Sequence, residues 1–348
     1  MACLAHPGPL TGQARLIQTP NLRPVAGTPG RFDTLMIRET AALDTTGALP
    51  TITDVAMDGA DRILAVDVAG QRILVLDRRG RVVRSIGRSG DGPGEFRLPY
   101  LLAALDSGDV VVLDLRALRL TRFDRDSRLV RTASLPGFLH ATSMLALGDE
   151  LYVAGALRVA GAEGKAIHVF SLDGLHQRSF GQLVQAVVPA AQSIIEGGEL
   201  APARNGGIWY AQVAPYLIER YSRSGQLEIQ VHRPNDFLPS AESALRAQVS
   251  ERASSFLAPV PHARAAAILE LDDGTLLHQT LLPTRRVVTD VYRADPVSGL
   301  ALVASYEHDG PVLRRRAAQA GTYLSLAATE GFRHSALMVV RFAPAHRR

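Results

Sequence analysis

The chain has 348 residues, 47% of them hydrophobic and 21% charged, with a formal net charge of +4 and a single cysteine, Cys3. That apolar content suffices for a large core, one cysteine excludes an internal disulfide, and no apolar run reaches the length of a membrane-spanning helix. Lysine occurs once, at Lys165, so the basic charge is arginine interleaved with acids; without a recognisable nucleic-acid module it does not read as a nucleic-acid surface.

Residues 1–32 are rich in proline and glycine and lack periodicity, which predicts an extended arm that does not fold alone. Leu4, Leu10, Leu16, Ile17 and Leu22 are scattered through it and are the candidate contacts to a protein partner. Cys3, preceded by Ala2, is a candidate lipid anchor of the kind found at a lipoprotein cleavage site, although no signal peptide precedes it in the chain. Residues 33–38, extending to 43, form an isolated β-prone stretch.

From there a unit repeats. Apolar anchors that run towards a turn fall at Leu76, Phe123, Phe170, Tyr221, Tyr292 and Phe342, and the first three are equally spaced. A period of roughly 40–50 residues carrying several short strands marks propeller blades, whose two apolar faces only neighbouring blades can bury. Turn chemistry precedes second strands at 60–67, 107–114, 148–155, 205–212 and 272–279. Six anchors predict six blades. Between blades four and five, residues 232–259 hold the one predicted helix: Ser240 as N-cap, Leu245, Val249, Ala253 and Phe256 on one stripe, and Pro259 as its stop. In blade six, 320–328 reads as the inner strand and 334–344 as the last C-terminal one, which leaves an outer strand missing. The stretch 33–43 is predicted to supply it, because a ring closed by both chain ends leaves no open sheet edge.

The glycine-punctuated loop Gly87–Pro99 leads into a strand, the Gly108-Asp109 turn and a second strand ending Val110–Asp114. This combination resembles the signature of NHL-type six-bladed β-propellers. The resemblance implies an all-β fold of four-stranded antiparallel blades, and raises the expectation of an exported or lipid-anchored bacterial protein, periplasmic or otherwise extracytoplasmic. The loop lacks the Lys-Ser/Thr ending of a phosphate loop and precedes a strand, so it reads as a blade connector. The domain reading is therefore an arm over 1–32 and one propeller over 33–348.

No nucleophile elbow, zinc-protease motif or calcium loop occurs, and no cofactor or metal is expected. The start of each innermost strand points to the mouth of the central channel, where residues distant in sequence can meet. In phase with Tyr100 stand Asp54, His140 with Thr142, Arg204, and His262 with Arg264. Such a set could bind an anion or do acid–base work. Propeller hydrolases place carboxylates and an asparagine around a channel calcium, but the asparagines here are Asn21, Asn205 and Asn235, which do not reproduce that set. The sequence thus favours a non-catalytic interaction or scaffold protein, an accessory subunit docked by its arm on a larger protein complex, an integral-membrane complex included. The alternatives are a hydrolase or lyase acting at the channel mouth, and a soluble small-ligand binder.

Overall fold

A computed structural model describes residues 14–39, 51–58, 62–135, 137–184, 196–212, 216–233, 263–316, 322–328 and 334–344. The predicted helix and His262 lie outside the described residues, as do Cys3, Leu4, Leu10 and the stretch 40–43. Among the described residues all regular structure is β, and no helix is long and apolar enough to cross a membrane.

The chain opens with β1 (Arg15–Gln18), β2 (Val25–Ala26) and β3 (Gly30–Glu39). Blade one follows as β4 (Ile52–Met57), β5 (Ile63–Asp67), β6 (Arg72–Leu76) and β7 (Val82–Ile86). Blade two is β8 (Pro99–Ala104), β9 (Val110–Asp114), β10 (Arg119–Phe123) and β11 (Leu129–Ser134). Blade three is β12 (Phe138–Leu147), β13 (Glu150–Leu157), β14 (Ile167–Ser171) and β15 (His176–Phe180). Blade four is β16 (Gly198–Pro202), β17 (Ile208–Gln212), β18 (Leu217–Tyr221) and β19 (Leu227–His232). Blade five is β20 (Arg264–Glu270), β21 (Leu276–Leu281), β22 (Val287–Asp295) and β23 (Gly299–His308), and blade six takes β24 (Val312–Arg316), β25 (Thr322–Ala328) and β26 (His334–Pro344).

Each blade is an antiparallel meander, and the first strands β4, β8, β12, β16, β20 and β24 touch one another around a closed ring. Closure is as the sequence predicts: β3 pairs antiparallel with β26, from Gly30 against Pro344 to Glu39 against Ala336, as the fourth strand of blade six. One detail differs. The inner strand of that blade is β24, and the stretch read as inner, β25, is second. The arginines of Val312–Arg316 hide that strand from a hydropathy pattern.

The six anchors are all buried, from 0% exposure at Leu76, Phe170 and Tyr292 to 3% at Phe123, Tyr221 and Phe342. The core is divided among the seams between blades. Between blades one and two, for instance, Leu64, Val66, Ile73 and Val75 pack on Leu102, Val110, Val112 and Phe123, with Phe96 wedged between them. The glycine loop serves that wedge. Gly87 has φ +77°, and a Cβ there would stand 2.2 Å from the Phe96 ring, so only glycine lets the ring seat. Glu95 folds back to accept the Gly92 N–H at 2.8 Å and pairs with Arg88 at 2.9 Å.

Acidic residues at strand ends close the turns. Asp114 accepts backbone N–H bonds from Arg97, Leu98, Arg116 and Ala117. Asp67 does the same for Thr51 and Gly70 and pairs with Arg72 at 3.0 Å. After the third strands, Asp77 and Asp124 each cap two N–H groups of the following turn. These bonds satisfy donors that the sheet ladder leaves over, which is why the repeat carries acids there.

The arm departs from expectation. Its described part does not stand free of the propeller: β1 pairs in parallel with β19, the outer strand of blade four, and β2 with β23, the outer strand of blade five. Both blades thereby become five-stranded. The arm covers two sheet edges that would otherwise be bare.

Candidate functional site

In an antiparallel meander the first strands all begin on one face of the disc, here called the front. Connections from second to third strands, and from each outer strand to the next blade, also lie there; the opposite turns form the rear. The strand ends that flank residues 87–98, 181–197 and 233–263 all lie at the front, whereas rear turns such as 105–109 and 203–207 are tight and closed by backbone bonds.

Near their start, all first strands except β16 carry a bulge. Aligning the second-strand partners Asp67, Asp114, Gly155, Gln212 and Thr280 gives the matching residue in each blade. That ring is Thr53, Tyr100, Thr142, Glu199, Ala266 and, by the bulge of β24, Arg314. Several of its members bind blade to blade. Thr53 Oγ1 donates to the Tyr100 carbonyl at 2.8 Å, and Thr142 Oγ1 donates to the Gly198 carbonyl at 2.8 Å. In the last seam Gln279 Oε1 accepts the Leu313 N–H at 2.6 Å.

The charged groups concentrate on one side of the mouth. Arg314 of blade six pairs with Glu199 of blade four at 3.0 Å, reaching past blade five, whose ring member is the methyl of Ala266. Arg264, at the head of β20, is half-buried and has no hydrogen bond or ion pair among the described residues. Burial, and then the charge of Arg314, lower its pKa. Burial pushes the Tyr100 phenol up, against the opposing charges of Arg314 and Arg264 and with those of Asp54 and Glu199.

The structure therefore sorts the residues singled out by sequence. Tyr100 and Thr142 stand on the ring, and Arg264 lies beside it. Asp54 is one residue out of phase: it is 5% exposed, and its carboxylate accepts the Val55 N–H at 2.9 Å and the Leu102 N–H at 3.0 Å, which makes it a stitch between blades one and two. His140 precedes the ring position by two residues; burial lowers its pKa, with Glu196 opposing. Arg204 is at the rear. Its backbone N–H bonds Glu270 at the far end of β20 at 3.0 Å, and its guanidinium bonds the Asp272 carbonyl, so it holds blade four to blade five and does not reach the mouth. Glu199 and Arg314 are functional candidates that the sequence reading does not single out. Only the strand register could have found them.

Of the arm residues expected to meet a partner, Ile17 is 6% exposed and packs with Trp209, Ile218 and Val231 in the seam of blades four and five. It is thus a core residue of its own propeller, and that expectation is corrected. Leu16 is 60% exposed and Leu22 36%. The Leu22 carbonyl accepts a hydrogen bond from Arg233, which is wholly buried against Asp290. Asp290 also accepts the Tyr216 hydroxyl at 2.7 Å, and Tyr216 meets the Tyr292 hydroxyl at 2.7 Å. Among the described residues, no group of three or more His, Cys, Asp or Glu side chains is arranged to hold a metal ion.

A family model described as a 6-bladed beta-propeller matches residues 39–170. Comparison with curated proteins by sequence finds no match. Among solved structures, the fold is similar to a protein of Bacteroides fragilis provisionally described as exported, with TM-score 0.58 and 11% identity over 94% of this chain and 99% of that one. It is also similar to a duf4221-family member from Bacteroides vulgatus, with TM-score 0.57 and 8% identity over 92% and 100% of the two chains. A third likeness is to virginiamycin B lyase of Staphylococcus aureus, solved with quinupristin, with TM-score 0.51 and 13% identity over 86% and 82%. At such identities the likeness speaks to fold alone. Together with the closed ring of six meanders, these findings identify the chain as a six-bladed β-propeller.

Proposed function

We propose that this propeller is a non-catalytic interaction protein which presents its front face to other proteins, as an accessory subunit of a larger assembly outside the cytoplasm. The observation that supports this most is the contrast between the faces. Among the described residues the rear turns are short and capped, and arginines there bond carbonyls of the next blade: Arg62 and Arg84 to Arg125, both at 3.0 Å, and Arg178 to Arg223 at 2.6 Å. The front carries the long connections, and in scaffolds of this type variable loops on a rigid frame carry recognition. Fold-level analogy contributes the rest.

The arm enters this reading in a changed role. Ile17 and the Leu22 carbonyl are engaged by blades four and five, so docking is assigned to the front face and not to residues 14–29. Extracytoplasmic location and peripheral membrane attachment, with Cys3 as lipid acceptor, belong to the same proposal. The provisional description of the Bacteroides fragilis relative agrees with the former.

The test compares full-length protein in its native cells with two surface variants. Arg116→Glu with Thr284→Glu alters exposed front turns, and Arg79→Glu with Asp126→Arg alters exposed rear turns. Native sedimentation of gently extracted material should show a large species that is lost in the front variant and kept in the rear one. A monomer in all three samples, or loss in the rear variant alone, overturns the proposal.

A further inference from the structure

The geometry points to a binding site for a small carboxylate-bearing molecule in the channel mouth, with the Arg264 guanidinium as its principal ligand. This goes beyond the docking role and can fail without it.

Four observations carry the inference. First, Arg264 is a half-buried guanidinium with no hydrogen-bond or ion-pair partner among the described residues. A polar group taken from water without a partner is costly, and a guanidinium has five N–H donors to satisfy. Arginines elsewhere in this protein are not left so: Arg72, Arg122, Arg178, Arg233 and Arg314 each meet a carboxylate.

Second, the two described carboxylates that act on this side of the mouth are already used. Glu199 is bonded to Arg314, and Asp54 accepts two backbone N–H groups. Neither is free to turn to Arg264. Third, the groups around Arg264 leave room for an oxyanion. Arg314, Glu199 and Tyr100 all lie close enough to act on it electrostatically, but Glu199 is held by Arg314, and the Tyr100 hydroxyl can donate. Blade five presents only Ala266 at ring level, so no large side chain of its own ring position caps this side of the channel.

Fourth, the charges select among anions. Arg264 and Arg314 are matched in number by Asp54 and Glu199. A singly charged, planar carboxylate can take two parallel N–H bonds from the Arg264 fork without overloading the mouth. A doubly charged phosphate would meet the two resident carboxylates. The site is therefore assigned to carboxylates before phosphates. A half-buried cation with no partner among the described residues is the kind of local cost that proteins retain at binding sites.

The experiment uses full-length protein with sodium acetate and inorganic phosphate as probes at equal ionic strength. Binding is followed by chemical-shift titration of arginine side-chain and backbone signals, with thermal melting in parallel. Acetate should bind saturably to the parent protein and more tightly than phosphate. In Arg264→Gln, acetate affinity should fall by about tenfold or more, while the apo melting temperature is unchanged or raised, because an unpartnered cation has been removed. Arg264→Lys keeps the charge without the fork, and should also weaken acetate. If Arg264→Gln does not fold, Arg264→Lys and the acetate-to-phosphate preference of the parent protein decide. Absence of saturable acetate binding, equal acetate affinity in the folded variants, or tighter phosphate binding overturns the assignment.

Discussion

Replacing Ile17 by alanine tests whether the arm is part of the propeller. Ile17 is 6% exposed in the blade four–five seam, while its neighbour Leu16 is 60% exposed on the same strand. Truncating a buried isoleucine to alanine costs about 2–5 kcal/mol when the site cannot collapse. Here an upper limit applies, because β1 sits at a sheet edge and can detach without unfolding the disc. Its docking rests on the Ile17 side chain, worth about 1.5–3 kcal/mol, on a short parallel ladder, and on the Arg233 bond to the Leu22 carbonyl, worth about 1.5–3 kcal/mol as a charged hydrogen bond. Ile17 is the buried apolar side chain of β1, so Ile17→Ala should release the strand from blade four. Urea unfolding should show a loss of about 2–3 kcal/mol, against less than about 0.5 kcal/mol for Leu16→Ala. Hydrogen exchange should show the ladder amides of residues 15–18 losing protection. A chain beginning at Gly30 should match Ile17→Ala in stability, since both lack a docked arm. Equal and negligible effects of Ile17→Ala and Leu16→Ala would refute the reasoning.

Two further outcomes follow from buried polar groups. Asp114→Ala leaves four turn N–H groups without their acceptor and should cost about 3 kcal/mol or more by chemical denaturation, with Asp114→Asn recovering part of the loss because it keeps one acceptor oxygen. Burial holds His278 near a pKa of about 3, and His168 and His308 near about 4, all below the ordinary 6.5. Between those values and 6.5 the unfolded chain binds protons that the folded chain does not. Stability should therefore be flat above that window and fall as pH drops through it, by about 1.4 kcal/mol per pH unit for each histidine. His278→Leu should reduce the measured slope by one proton's share; an unchanged slope would show that this imidazole titrates normally.

How far the sequence carries depends on where the information lies. The blades were legible because each anchor, from Leu76 to Phe342, is a local apolar signal repeated in register with turn acids. Closure was legible because residues 33–38 are β-prone with no partner nearby in sequence, and an incomplete blade lay at the other end of the chain. The ring was only half legible. A bulge puts two residues of the first strand against one of the second, so counting from strand starts lands on Asp54 instead of Thr53. In blade four the reading falls on Arg204, beyond the end of β16 at Pro202, because no apolar run in the sequence marks where that strand begins. The arm was illegible for another reason. Its pairing to β19 and β23 is made by backbone groups, which carry no sequence signature, and Ile17 alone among prolines and glycines gives no period to read.

The arginine bias illustrates the same limit and has a physical reason at particular positions. At the rear, Arg62 uses Nε on Asp58 of its own blade at 2.6 Å and Nη2 on the Arg125 carbonyl of the next blade at 3.0 Å. Arg178 likewise binds Glu150 in its own blade through Nη1 at 2.5 Å and the Arg223 carbonyl of blade four through Nη2 at 2.6 Å. It thereby holds the Glu150 carboxyl below its usual range. Each side chain joins a carboxylate on one blade to a backbone acceptor on the next. A planar fork with separated donors can do this in one fixed geometry, whereas a lysine ammonium is a single point charge. The arginine bias thus becomes, at these seams, a device that ties rigid blades into a ring. Arg264 and Arg314 place the same chemistry at the front, where Arg314 has its carboxylate and Arg264 has none among the described residues.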